Sequence, residues 1–174
     1  MKNTIYTVLI GLALVFTGTS CSSDDDGGDG GNAAAGTIQA KVDGTLVTTL
    51  EMVTFATLSG TSNLQIQGNT GGTSSKAFVL QMQGLDGVGT YTIGGGANII
   101  NTAVYSEITV DISNPSNTVT NDWQAPFDSS VAGEIKISEL TDTKVVGTFS
   151  FTGKNVNGDN STKQITEGSF NINF

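Results

Sequence analysis

The chain has 174 residues, a formal net charge of −9, a single cysteine, no histidine and, among its seven basic residues, no arginine. Without histidine it holds no Ser-His-Asp triad, no Cys-His dyad and no zinc site of the usual kind. One cysteine leaves no intramolecular disulfide, and an acidic chain without arginine is a poor partner for nucleic acid. No cofactor or metal is expected, and the residue set points away from an enzyme.

In chain order, Met1-Lys2-Asn3 opens a mostly apolar run from Ile5 to Phe16, followed by the small residues Thr17 to Ser20. A basic start, about a dozen apolar residues and a small-residue cleavage region predict an export signal over residues 1–20. The run is shorter than the roughly 20 residues that span a bilayer, so no permanent transmembrane helix is expected. Cys21 follows directly. Thr19-Ser20-Cys21 resembles a bacterial lipoprotein lipobox, with Gly18 standing where Leu, Val or Ile is usual. That resemblance implies an acylated Cys21 as the new N-terminus and the membrane as a partner, each buried CH₂ of the acyl chains contributing about 0.8 kcal/mol.

Residues 21–36 carry four Asp and few large apolar side chains, which predicts a flexible, self-repelling tether. Ser22, Ser23, Asp24, Asp25 and Asp26 resemble the surface-export signal of Bacteroidota lipoproteins. The resemblance implies an outer-membrane, lipid-anchored protein facing outward. Four of the 16 acids lie in this segment, leaving twelve acids against six Lys in residues 37–174, or −6.

Residues 37–174 alternate apolar and polar side chains with period 2, the signature of half-buried strands. Ile38, Ala40 and Val42 lead into Asp43-Gly44, a favoured hairpin turn. Leu64 with Ile66, then Phe78, Leu80 and Met82, continue the pattern. Ile108, Val110 and Ile112 are expected to face the core, opposite Glu107, Thr109 and Asp111. Ile135 with Ile137, Val145 to Phe151, and Phe170, Ile172 and Phe174 complete the set, Phe174 being expected to be structural. Gly168 is expected to sit in a bulge that switches facing parity between Ile165 and Phe170. The expectation is one all-β domain of about nine or ten antiparallel strands, either a β-sandwich, which the uneven loops favour, or a strongly curved barrel-like sheet.

Gly89-Thr90-Tyr91-Thr92, Trp123, Gly133 to Ile137, Gly147 to Phe151 and Glu167 to Phe174 together resemble Bacteroidota lipoproteins of domain of unknown function 6252. The resemblance covers most of residues 37–174. It implies a β-rich exported lipoprotein and carries over no catalytic residues.

For chemistry, the acid/base groups on offer are carboxylates. Asp122 and Asp128 bracket Trp123 and Phe127 in what reads as the longest irregular segment, Asn114 to Ser130. Paired acids beside an aromatic ring suit a sugar, either bound or, less expectedly, hydrolysed. The competing reading makes Trp123 a hydrophobic plug at one end of the domain. Asn155, Asn157, Asp159 and Asn160 crowd one hairpin loop but lack the spacing of a calcium loop. Gly94-Gly95-Gly96 lacks the Lys-Ser/Thr pair of a phosphate loop. The sequence therefore points to a binding or accessory module of the envelope, contacting a glycan or an envelope protein. Its alternatives are a structural envelope protein and a carboxylate-dependent glycan hydrolase. Whether Trp123, Tyr91 and Tyr105 lie exposed together separates binding on aromatics from a structural role.

Overall fold

A computed structural model describes residues 33–96 and 100–174. The predicted signal, Cys21 and the run Ser22, Ser23, Asp24, Asp25 and Asp26 lie outside the described residues. Period-2 alternation builds eleven strands among them: β1 (Thr37–Val42), β2 (Thr45–Thr48), β3 (Phe55–Ser59), β4 (Asn63–Asn69), β5 (Ser74–Gln83), β6 (Gly89–Gly94), β7 (Thr102–Thr109), β8 (Val119–Ala125), β9 (Val131–Leu140), β10 (Lys144–Lys154) and β11 (Thr162–Asn173). Two single-turn 3-10 helices, Glu51–Val53 and Pro115–Asn117, interrupt the connections. No helix among the described residues is long and apolar enough to cross a membrane.

Every pairing is antiparallel, and the strands join into one sheet in the order β2-β1-β11-β10-β8-β7-β5-β4-β3. β10 is the hub. One of its edges pairs with β11, while the other pairs with β9 and then, past the end of β9, meets β8 at Lys154 opposite Gln124. β6 extends the sheet beyond β9. The sheet curls on itself as a half-barrel, so of the two expected architectures the curved sheet is the one formed. Long continuous pairing with a strong coil lets both halves of a single sheet share one core, without a second layer.

The core takes one face of each strand. Ile38, Ile66, Phe78, Leu80, Met82, Ile135 and Phe170 are fully buried. Phe149 sits at the centre, 5.9 Å from the ring of Phe78 and 6.3 Å from those of Phe151 and Phe170. The turn at Asp43-Gly44 closes the β1–β2 hairpin with both residues at positive φ, 47° and 82°, the geometry of a two-residue hairpin whose twist matches its strands.

Three expectations are corrected. The segment read as irregular contains β8, which pairs residue for residue with β7 from Ala103–Ala125 to Thr109–Val119. The core face of β7 is Ala103 and Tyr105, continued by Glu107; Ile108 is half-buried and Ile112 is exposed beyond the strand. The parity is set by the tyrosine, whose ring fills the core while its hydroxyl reaches a carboxylate at the rim. Phe174 follows the end of β11 and is 42% exposed, so the buried anchors of that strand are Ile165, Phe170 and Ile172.

Candidate functional site

Side chains alternate across β8, so Asp122 and Trp123 point to opposite faces of the sheet. Trp123 faces the interior, its ring 5.7 Å from that of Tyr105. Its Nε1 donates to Ser161 Oγ at 3.0 Å, and Lys163 Nζ lies 5.0 Å from the centre of the ring. Lys163 also reaches Glu107 at 3.4 Å and Asp43 at 3.5 Å, and the Tyr105 hydroxyl donates to Glu107 Oε1 at 2.9 Å. Burial, with the adjacent Glu107 charge adding to it, pushes the Tyr105 phenol well above its ordinary value. Ser161 donates its hydroxyl and backbone N–H to Asp159, holding that carboxyl below the usual range. The β1–β2 turn, the β10–β11 loop and the rim of β7 and β8 thus close one end of the sheet with a partnered polar network over an aromatic pair.

The other predicted site residues are dispersed. Asp122, on the outer face, accepts from Ser106 Oγ at 2.6 Å. Asp128 is exposed in the β8–β9 turn and accepts from the Ser130 backbone N–H at 2.8 Å. Phe127 is half-buried in the same turn. Asp122, Trp123 and Asp128 thus take their hydrogen-bond partners in three different places, at Ser106, Ser161 and Ser130, rather than in one site. Tyr91 stands apart from Tyr105 and Trp123, its half-buried hydroxyl bonded within the β5–β6 turn to Gly87 O and Asp86 N–H. Among the described residues, Tyr91, Tyr105 and Trp123 therefore form no exposed aromatic platform. Among the described residues no group of three or more His, Cys, Asp or Glu side chains is placed to hold a metal ion.

A groove of about 340 Å³ opens on the outer face, away from all of these. Its origin is the bulge in β11. Gln39 pairs with Ser169 and Lys41 with Thr166, while Phe149 pairs with Gly168 and Phe151 with Ile165, so β11 carries one extra residue against both neighbours. Glu167 takes the strain, at φ 50°. Gly168 is required for a different reason: a Cβ there would lie 2.5 Å from the Phe149 carbonyl oxygen and 2.8 Å from its ring. The bulge switches parity as the sequence predicts, burying both Ile165 and Phe170, and it turns Glu167 outward.

The floor is formed by Thr148, Ser150, Gly168 and Ser169. Gln39, Lys41 and Leu46 form one wall, from β1 and β2, and Glu134 of β9 stands on the other. Lys41 Nζ bridges both carboxylate oxygens of Glu167, at 2.7 and 2.8 Å, between exposed side chains. A smaller depression of about 160 Å³, lined by Thr152, Gln164 and Thr166 among others, shares Ser150 and continues along β10 and β11. Ser169 is 2% exposed, and its Oγ is the one buried side-chain polar atom without a hydrogen-bond partner among the described residues. Leaving a buried hydroxyl unpaired costs about 1–3 kcal/mol. Sequence reasoning found the bulge but not the groove, whose walls come from five strands between Gln39 and Ser169.

Comparison with known proteins places the same stretch of chain in a family. The family model described as Domain of unknown function (DUF6252) matches residues 34–172. No curated protein and no solved structure matches the chain.

Proposed function

The chain belongs to the DUF6252 family, whose description assigns no activity, and we propose that it is a lipid-anchored binding or accessory module on the outer surface of a bacterial envelope. The observation that carries this reading is the outer-face groove with its buried, unpartnered hydroxyl. The arrangement of the chain supports it further. The acidic segment leads straight into β1, where the Gly36 N–H donates to Asn171 O at 2.7 Å, and β1 itself contributes Gln39 and Lys41 to the groove wall. Cys21 would fix the chain by its acyl groups, and the Asp24–Asp26 run would carry the sorting signal. The tether of residues 21–36 would reach about 55 Å when extended, enough to hold the groove clear of the lipid.

A structural envelope protein without a ligand is the second reading, favoured by one observation: Tyr105 and Trp123 are packed together inside rather than displayed. Labelling with a clickable fatty acid, followed by protease treatment of intact cells, tests the anchoring. The native chain should take up label and be shaved from the surface. Cys21→Ser should lose the label, and Asp24→Ala/Asp25→Ala/Asp26→Ala should remain labelled but become protected. A labelled Cys21→Ser chain, or a native chain that protease does not reach, overturns the proposal.

A further inference from the structure

We infer that the outer-face groove takes a neutral, hydroxyl-rich ligand, a short stretch of glycan laid along β10 and β11. This rests on reading the domain as a binding module and adds the chemical class of what it binds. Three features lead there. The first is Ser169 Oγ. A serine hydroxyl is one donor and two acceptor positions, and this one is buried with no partner, flanked across the sheet by Gln39 and Thr148. Both Gln39 and Ser169 line the groove, so a ligand hydroxyl seated there, which can both donate and accept, supplies the missing partner.

The second feature is the balance of the lining. Lys41 and Gln39 donate, Glu134 and Glu167 accept, and Thr148 and Ser150 do both. A polyanion would meet two carboxylates in a domain of charge −6 (twelve acids against six Lys), and a cation would meet Lys41. A polyol satisfies every one of these groups without bringing a charge. The Lys41–Glu167 pair is exposed on both sides and so is held weakly enough to reorganise around a ligand. The third feature is shape. The two depressions share Ser150 and together run along the strands, which suits a chain rather than a single compact molecule, and the larger lies within the ~300–1,000 Å³ range of small-ligand sites. Leu46, 61% exposed at the wall, offers the apolar contact that the C–H face of a sugar ring takes.

The test is calorimetric titration of the full chain, in a detergent without sugar headgroups, with five probes: cellohexaose, maltohexaose, mannohexaose, hexagalacturonate and hexalysine. At least one neutral hexasaccharide should bind, with an affinity that salt leaves unchanged. Ser169→Ala should weaken it about two- to tenfold while the thermal midpoint stays level or rises, because an unpaired hydroxyl is removed. Thr148→Val should weaken it too, and Asp128→Asn, in a distant turn, should not. Equal affinity for the native chain and Ser169→Ala, or a lowered midpoint with unchanged affinity, makes the hydroxyl merely structural and overturns the inference. Binding of hexagalacturonate or hexalysine alone, weakened by Ser169→Ala, overturns the ligand class and leaves the binding-module reading standing. No heat with any of the five overturns both.

Discussion

The curled sheet presents polar side chains in two concentrated places, and they are built on opposite principles. At the closed end, Lys163 is shared by Asp43, Glu107 and the face of Trp123, Tyr105 is bonded to Glu107, and Trp123 to Ser161. Each named group has a partner within the protein. At the β11 bulge a hydroxyl is buried without one, a glutamate occupies a left-handed backbone position, and long side chains stand around open volume. Buried polar groups in folded chains are nearly always paired, so an unpaired one calls for a reason such as strain, a bound water or a ligand. The lesson is that the aromatic end holds the domain together and the aromatic-poor groove is the place to look for a ligand, the reverse of what an aromatic-centred reading of the sequence suggests.

The sharpest way to break that comparison is Trp123→Ala. If the closed end is structural, deleting this side chain, 6% exposed and packed at a tilt against Tyr105, should cost about 3–5 kcal/mol in urea unfolding followed by far-UV dichroism. A loss under about 1 kcal/mol would show that the ring is dispensable to the fold and free for recognition. Gly168→Ala probes the other region. Its new Cβ would fall 2.5 Å from a backbone oxygen, so the bulge must shift, at a cost of about 1–3 kcal/mol by the same measurement. A neutral Gly168→Ala would mean that the bulge is loose and the groove not preformed.

How much of this was legible beforehand depends on whether the signal was local. The β1–β2 turn was, because Asp43-Gly44 names its own backbone geometry. The β11 bulge was, because Ile165 and Phe170 are an odd number of residues apart and both apolar. β8 was not: Val119 to Ala125 reads Val-Thr-Asn-Asp-Trp-Gln-Ala, with only Trp123 and Ala125 buried, and its strand character comes from pairing along β7 rather than from its own pattern. β7 misled for the opposite reason. Ile108, Val110 and Ile112 look like a core face, yet the strand's interior residues are a small Ala103 and a Tyr105 whose hydroxyl needs Glu107 on its own side. Asp122 and Trp123 are neighbours in sequence and therefore strangers in space, since adjacent strand residues face apart. The groove had no sequence signal, because its lining comes together from five separate strands and Ser169 meets Gln39 and Thr148 only through the pairing of β11 with β1 and β10.

The smallest change at neutral pH, and the most specific to the closed end, is Tyr105→Phe. Removing the hydroxyl leaves Glu107 still paired with Lys163, so the cost near pH 7 should be about 1 kcal/mol. The alkaline limb is more telling. Burial first, then the hydrogen bond and charge of Glu107, raise the Tyr105 phenol in the folded chain, whereas in the unfolded chain it ionises near the usual value of about 10. Above that pH the unfolded state has lost a proton that the folded state still holds. The unfolded chain then binds fewer protons, and stability must fall as pH rises until the folded phenol ionises as well. Below about pH 10 both states carry the proton and this contribution is flat. Urea unfolding of the native chain from pH 8 upward should therefore steepen past about pH 10, and Tyr105→Phe should remove the part of that slope that this residue contributes. Superimposable slopes in the two proteins would place the Tyr105 hydroxyl in water rather than against Glu107, and would dissolve the contrast between a satisfied end and an unsatisfied groove.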